Sequence, residues 1–504
     1  MKKTVFLLLA IAATIVSCND FLDITPDKRA QLDDESKITQ ILISAYPTEL
    51  PILMFELMSD NITDNGPQYS TVYSEQTVVQ SYTYQAVTDP DLDSPRNVWE
   101  VTYKAIAAAN QALIAIEKLG SPKSLNGVKS EALLCRAFGH FVLANTFCKA
   151  YNSQSSATDL GIPYFTEPET SVSPVYTRGT VKEVYEKIDQ DIEAALPIHV
   201  DNFKKAAYHF NRKAAYAFAA RFNLFYGKWA KVVQYASEAL GDNPAILLRD
   251  HAQYAVFTLL EDVRSAYLRS EEPSNFLIMT QKSLWGRVYT AGRRYGHSRA
   301  KADMTFWQYF PWNDIVNGLN SVWGTDQNVY FPKMREIFEI TNPTAQTGWP
   351  HTVVVQFSAD ETLACRAEAY AMLKDFDKAT RDLNYWYWRN SAAHSQFTKE
   401  EISDWYAVER SRTPRPPMDS RFEIESGMQE NFVRAALALR RFEGVHTGLR
   451  WMDVKRHGIT VKHPMLKSQT VADTITLAPY DDRTAIQLPA DVISAGLPAN
   501  PRNN

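Results

Sequence analysis

Two stretches of the chain repeat one pattern: an alanine-rich helix, a tight break, and a second helix that opens on an aromatic residue. Asn211 to Leu240 reads NRKAAYAFAARFNLFYGKWAKVVQYASEAL, broken at Gly227 with Trp229 following; Ser358 to Trp388 reads SADETLACRAEAYAMLKDFDKATRDLNYWYW, broken at Lys374 and Asp375 with Phe376 following. Small residues on the first helix let a partner helix approach closely, and neither pair can bury its apolar face alone. A third pair is written nearby. Val98 to Leu119 carries Trp99, Ala105, Ile106, Ala109, Leu113 and Ile116 at helical spacing, Gly120-Ser-Pro breaks it, and Val128 to about Ala150 returns with Leu133, Ala137 and Phe141. Thr180-Val-Lys-Glu183 has the spacing of a capping box opening a helix that ends by Pro197.

Both repeated stretches resemble tetratricopeptide helix pairs, but the copies are scattered rather than tandem, which argues against a plain solenoid. The expected fold is mainly α: tetratricopeptide-like helix pairs at about 94–150, 180–241, 358–390 and 428–458 form a scaffold, with long irregular loop-rich insertions and a few short strands. The insertion at about 271–352 loses helical period and collects Trp285, Trp307, Trp312, Trp323 and Trp349 among Gly, Asn, Asp and Pro. Long irregular segments in compact proteins are binding loops or disorder, and this aromatic content argues for the former. The proline- and asparagine-rich tail after Ile486 is expected to wrap the surface.

The first residues decide location. Lys2 and Lys3 precede an apolar run, Val5 to Val16, that is too short to span a bilayer and closes on Ser17-Cys18. Residues 1–17 read as a secretory signal. Ile15-Val16-Ser17-Cys18 resembles a bacterial lipobox, which makes Cys18 the acylated first residue and 18–35 a polar tether; two or three acyl chains hold a protein far more firmly than one.

Composition excludes several classes. A net charge of −5 over 504 residues gives no electrostatic reason to expect nucleic acid. Besides Cys18 there are Cys135, Cys148 and Cys365, too few for a disulfide framework and read as small buried apolar residues. No HExxH, GxSxG or phosphate-cradling glycine loop occurs, and the ten histidines show no metal spacing. Asp89, Asp91, Asp93 and Glu100 stand at positions 1, 3, 5 and 12 of a calcium loop, with Asn97 at 9, but Ser94 holds the place where the turn wants glycine. The preferred reading is a helix start, with Asp93 or Ser94 as cap and Pro95 in the first turn; no cofactor is expected, with calcium the weak candidate.

Taken in order, Cys18-Asn-Asp-Phe-Leu-Asp-Ile-Thr-Pro26, WEVTYKAIAAA from Trp99, SEALLCRAF from Ser130 on to Leu160-Gly-Ile-Pro163, TVKEVYEK from Thr180, CRAEAY from Cys365, Arg440-Arg441, GLRWMDVKR from Gly448 and IQLP from Ile486 resemble the RagB/SusD family of outer-membrane nutrient-binding lipoproteins. One departure is Thr447, where members often carry an acid. The resemblance implies one SusD-like domain over 36–504, non-catalytic, lipid-anchored at the outer membrane and facing outward. It further implies a glycan or other nutrient as ligand and a TonB-dependent SusC-like transporter as partner. It transfers no ligand residue by position.

Candidate ligand residues therefore come from chemistry. Sugars offer apolar ring faces edged with hydroxyls, so a binder needs flat aromatics beside planar hydrogen-bonding groups. Trp285, Tyr289, Arg293, Trp307, Trp312, Asn313, Asp314, Asn317, Asn320 and Trp323 supply both, and Tyr69, Tyr73 and Tyr82 form a second set. Arg450, Asp453 and Arg456, three residues apart on a helix, read as a structural salt-bridge ladder. The competing readings are a surface glycoside hydrolase built on paired carboxylates and a tetratricopeptide-type scaffold that binds peptides.

Overall fold

The computed structural model describes residues 32, 34–69, 75–167, 176–289, 293–303, 305, 310–311, 329–407 and 416–502. Its scaffold helices are α1 (Pro95–Lys118), α2 (Asn126–Phe147), α3 (Val181–Ala195), α4 (Arg212–Tyr226), α5 (Trp229–Leu240), α6 (Ala359–Met372), α7 (Phe376–Asn390), α8 (Met428–Gly444) and α9 (Leu449–His457); shorter helices are named by their bounds. The strands are β1 (Thr63–Asp64), β2 (Asn275–Lys282), β3 (Tyr295–Gly296), β4 (Arg335–Asn342), β5 (Thr347–Ser358), β6 (Val461–Lys467) and β7 (Thr470–Leu477).

The helix pairs expected from the alanine pattern form. Ser94 accepts the Asn97 N–H at 3.3 Å and Pro95 opens α1, so the cap reading of this segment is the correct one. Trp99 meets Phe147 with ring centroids 5.1 Å apart and Asn110 meets Arg136 at 3.1 Å, which makes α1 and α2 antiparallel. At Gly139 a Cβ would come within 2.7 Å of the Ile106 side chain, so glycine sets how closely the two helices lie. Thr180 and Glu183 complete the capping box of α3. Gly227, at φ +76°, ends α4 in the left-handed conformation that lets α5 start two residues later.

Helix α6 is the centre of the molecule. Every residue from Ala359 to Met372 is buried, so it has no solvent face, although four of its side chains are charged. Each finds a partner on a different element. Asp360 accepts the Ser274 hydroxyl at 2.5 Å, and Glu361 takes Arg221 of α4 through two hydrogen bonds of 2.8 Å. Arg366 grips Asp382 of α7 at 2.7 and 2.9 Å, and Glu368 receives Arg440 of α8 together with Arg456 and His457 of α9, the last at 3.0 Å. Asp453 closes this last group by accepting Arg440 at 2.9 and 2.8 Å and Arg456 at 2.9 Å. Two acids thus face two arginines. Burial works against the charge on Glu368, but Arg456 and Arg440 overcome it and hold the carboxyl well below its usual range. The expected ladder is structural, with one correction: Arg450 leaves it and pairs with Asp60 at 2.7 and 2.9 Å.

The insertion at 271–352 is less irregular than its composition suggests. β2, β5 and β4 form an antiparallel sheet in that order, with Met279 opposite Val354 and Ile337 opposite His351. β2 is buried over most of its length, and its unbroken run Phe-Leu-Ile-Met lacks the alternation that marks a strand in sequence. β5 runs directly into α6, with Ser358 capping the helix on the Glu361 N–H at 3.2 Å. The β6–β7 hairpin had no sequence signal. The tail does more than wrap: the Ile486 N–H donates to Thr146 O at 2.9 Å, and Asn500 donates to Phe147 O at 2.9 Å, tying it to the end of α2. Cys135, Cys148 and Cys365 are buried free thiols.

Removing one member of a buried ion cluster strands the others, at a cost of about 3–5 kcal/mol. Glu368→Ala is expected to lower unfolding stability by that amount in urea titration; an unchanged midpoint would contradict the role given to α6. Because the folded pKa of Glu368 lies below the unfolded value, its stabilisation is present above the unfolded carboxylate pKa. It disappears as pH falls through the folded one, so wild type and variant should converge in strong acid.

Candidate functional site

Two segments more than two hundred residues apart meet in a two-residue ladder, Thr63 opposite Gly296 and Asp64 opposite Tyr295. Asp64 is the knot. Its carboxylate accepts Arg294 Nε and Nη2, each at 3.0 Å, the Gly66 N–H at 2.8 Å and the Leu466 N–H at 2.9 Å. The hydrogen bonds that Arg294 donates to Asp64 raise its pKa, so this guanidinium is held charged. The Asn65 N–H donates to Arg294 O at 2.7 Å, and Asn65 Nδ2 donates to Arg293 O at 3.2 Å. Gly66 then turns the chain at φ +107°, a conformation that favours glycine, and Gln68 Nε2 closes the turn on Asn65 O at 3.0 Å.

Below this ladder the base is anchored in the core. Asp60 is buried beneath Arg450 and Arg441; burial disfavours its charge, but the two guanidinium groups prevail and keep the carboxyl well below its usual range. Lys301 Nζ donates to Asp60 O at 2.9 Å, and burial pushes that amine down to about 8. His297 sits 2.9 Å from Asn61 O, with burial holding it down at about 3 and therefore neutral. Tyr82 is sandwiched between His463, 4.1 Å away and parallel within 1°, and Tyr295 at 4.3 Å. This base carries the described residues that flank 70–74 on one side and 290–292 on the other.

The predicted site residues divide accordingly. Trp285, Tyr289 and Tyr82 are corrections: all three are packing residues. Trp285 donates its indole N–H to His446 O at 2.7 Å, Tyr289 its hydroxyl to Met334 O at 3.2 Å, and Tyr82 its hydroxyl to Pro464 O at 2.8 Å. All three are at most 6% exposed, so none offers a ring face to a ligand. Tyr69 and Arg293 are partly exposed and stand at the two ends of the base, where Arg293 Nη2 donates to Arg287 O at 3.3 Å. Trp307, Trp312, Asn313, Asp314, Asn317, Asn320, Trp323 and Tyr73 lie outside the described residues.

The weak calcium candidate does not assemble. Asp93 turns inward to Ser283 Oγ at 2.5 Å and the Leu284 N–H at 2.8 Å, Glu100 on α1 pairs with Lys104 at 2.5 Å, and Asp89 accepts the Thr77 hydroxyl at 3.1 Å and its own loop's Asp91 N–H at 3.0 Å. Among the described residues no group of three His, Cys, Asp or Glu side chains is placed to hold a metal ion.

Sequence reasoning missed Asp64, Arg294, His297, Lys301 and His463. The usable signal was the Asp60-Asn61 to Asp64-Asn65-Gly66 run, whose short polar side chains bond nearby backbone and mark a built turn. Chemically the base is an anchor. Asp64 spends its oxygens on four donors, leaving it unsuited to moving a proton.

The described residues thus form a helical frame that buries its own charges beside a pinned β1–β3 base. Residues 20–224 match the family model SusD-like, described as starch-binding associating with outer membrane. The fold recurs in a SusD superfamily protein from Bacteroides thetaiotaomicron VPI-5482, 19% identical, with TM-score 0.62 over 94% of this chain and 100% of that one. A SusD-like carbohydrate binding protein from Bacteroides vulgatus ATCC 8482 is 16% identical, with TM-score 0.63 over 91% and 96% of the two chains. A SusD superfamily protein from Bacteroides fragilis, 16% identical, gives 0.63 over 91% and 97%. No curated protein matches the chain. The chain thus carries a SusD-like segment at 20–224 within a fold that it shares with SusD-superfamily structures.

Replacing Asp64 by Asn keeps the volume but removes the charge that Arg294 and two backbone donors share. A loss of about 1–3 kcal/mol is expected, with faster amide exchange at Gly66 and Leu466. Exchange at those two amides indistinguishable from wild type would show that the knot is not load-carrying for the base.

Proposed function

We propose that this protein captures an oligosaccharide at the outer face of the outer membrane and passes it, chemically unaltered, to a TonB-dependent SusC-like transporter. The observation that carries the reading is the SusD-like match over residues 20–224 together with a SusD-superfamily fold over more than nine-tenths of the chain. The structural relative from Bacteroides vulgatus is named a carbohydrate-binding protein, which supports the ligand class. Tyr69 and Arg293, beside the pinned β1–β3 base, support the mode of binding, since contacts positioned in advance lose less freedom when a ligand binds. Trp307, Trp312, Asn313, Asp314 and Trp323, with Tyr69 and Arg293 at the base, are the proposed contacts. Cys18 is the proposed acylated anchor. No helix among the described residues is long and apolar enough to cross a membrane.

Isothermal titration against a panel of neutral oligosaccharides tests capture. One member should bind, and Trp307→Ala or Trp312→Ala should weaken it by about tenfold or more; release of reducing sugar by the purified protein would favour the hydrolase instead. Separately, Cys18→Ser should abolish incorporation of labelled fatty acid and move the protein out of the membrane fraction. Retention of the label would place the anchor elsewhere.

A further inference from the structure

Residues Arg96 to Ala107 of α1 and the short Ala490–Ser494 helix line an open cavity of about 410 Å³ that shares no residue with the β1–β3 base. Its volume falls in the range of small-molecule sites, on the order of 300–1,000 Å³. One wall is aromatic. Trp99 and Tyr103 are one helical turn apart with ring centroids 4.8 Å from each other, and both are partly exposed. Each is held rigidly: Trp99 packs edge-on against Phe147 at 5.1 Å, and the Tyr103 hydroxyl donates to Pro163 O at 2.8 Å.

The rim is charged and balanced. Arg96 lies 3.3 Å from Asp491, with side chains 54% and 58% exposed, and Lys104 lies 2.5 Å from Glu100, with side chains 70% and 51% exposed. Two cations and two acids sum to zero. Such open pairs hold together weakly, so a ligand can recruit their groups at little cost. Carboxylates accept hydroxyl protons and the cations donate to hydroxyl oxygens, while fixed ring faces take the apolar side of a sugar ring. An anionic ligand would meet two acids, and a cationic one two bases, so charge complementarity selects a neutral polyhydroxylated ligand.

We infer that the Trp99–Tyr103 cavity is a second glycan-binding site, separate from the loops at the β1–β3 base. It rests on the proposed carbohydrate capture and adds a subsite to it. A second foothold on the same surface raises retention of long chains through effective concentration, with no new contact at the first.

The test is titration of the full mature chain with malto-, cello-, xylo- and manno-hexaose. Any hexaose that binds is expected at two equivalents for wild type and one for Ala107→Trp, which fills the cavity from its α1 wall. Thermal unfolding is run alongside to confirm the fold. Should that variant misfold, Glu100→Ala/Lys104→Ala on the exposed rim is expected to weaken the second equivalent fivefold or more. One equivalent for wild type, two retained by Ala107→Trp, or an unmoved second equivalent in the double variant would overturn the inference while leaving capture intact. Failure of every hexaose to bind wild type would overturn both.

Discussion

Charge buried on helix α6 is the constraint that the rest of the fold answers. A helix with no solvent face ordinarily carries apolar residues all round, yet Asp360, Glu361, Arg366 and Glu368 are each at most 4% exposed. Leaving any of them unpaired would cost several kcal/mol, so α4, α7, α8 and α9 are each drawn to one register against α6. Bidentate geometry sharpens this. Arg221 on Glu361, Arg366 on Asp382 and Arg440 on Asp453 each use Nε and Nη2 on both carboxylate oxygens, a match that tolerates little sliding. Net stabilisation from such pairs is modest; what they contribute is a penalty on every other packing.

The same device recurs where the frame meets the loops. Arg450 on Asp60 and Arg294 on Asp64 are both bidentate, one beneath the β1–β3 ladder and one within it. Since Arg450 sits on α9, the helix that also supplies Arg456 to Glu368, the loop base and the centre of the scaffold share one continuous ionic framework.

The helix pairs were legible because alanine spacing and chain breaks are local signals, and Gly227 and Lys374, at φ +76° and +59°, fall at the breaks read from sequence. Cap chemistry was legible for the same reason at Ser94 and Thr180. The partners of the charged residues were not, since Asp60 and Arg450 are 390 residues apart. Aromatic composition misled in one respect: it correctly marks 271–352 as different, but Trp285 and Tyr289 serve the core, and β2 hides in an apolar run without alternation. At the Trp99–Tyr103 cavity the converse holds. Helical spacing assigns both to a packed face, and only the placement of Asp491 and Val492 opposite them reveals a cavity.

The central claim is that a nutrient glycan is held, uncleaved, beside the Asp64–Arg294 base. The most direct measurement is a crystal structure of the protein with the oligosaccharide that binds it. The account predicts an intact chain of sugar rings against Trp307, Trp312 or Trp323, with Tyr69 and Arg293 at its edge. A cleaved product, or a ligand lying along the helix pairs with the loops empty, would contradict it.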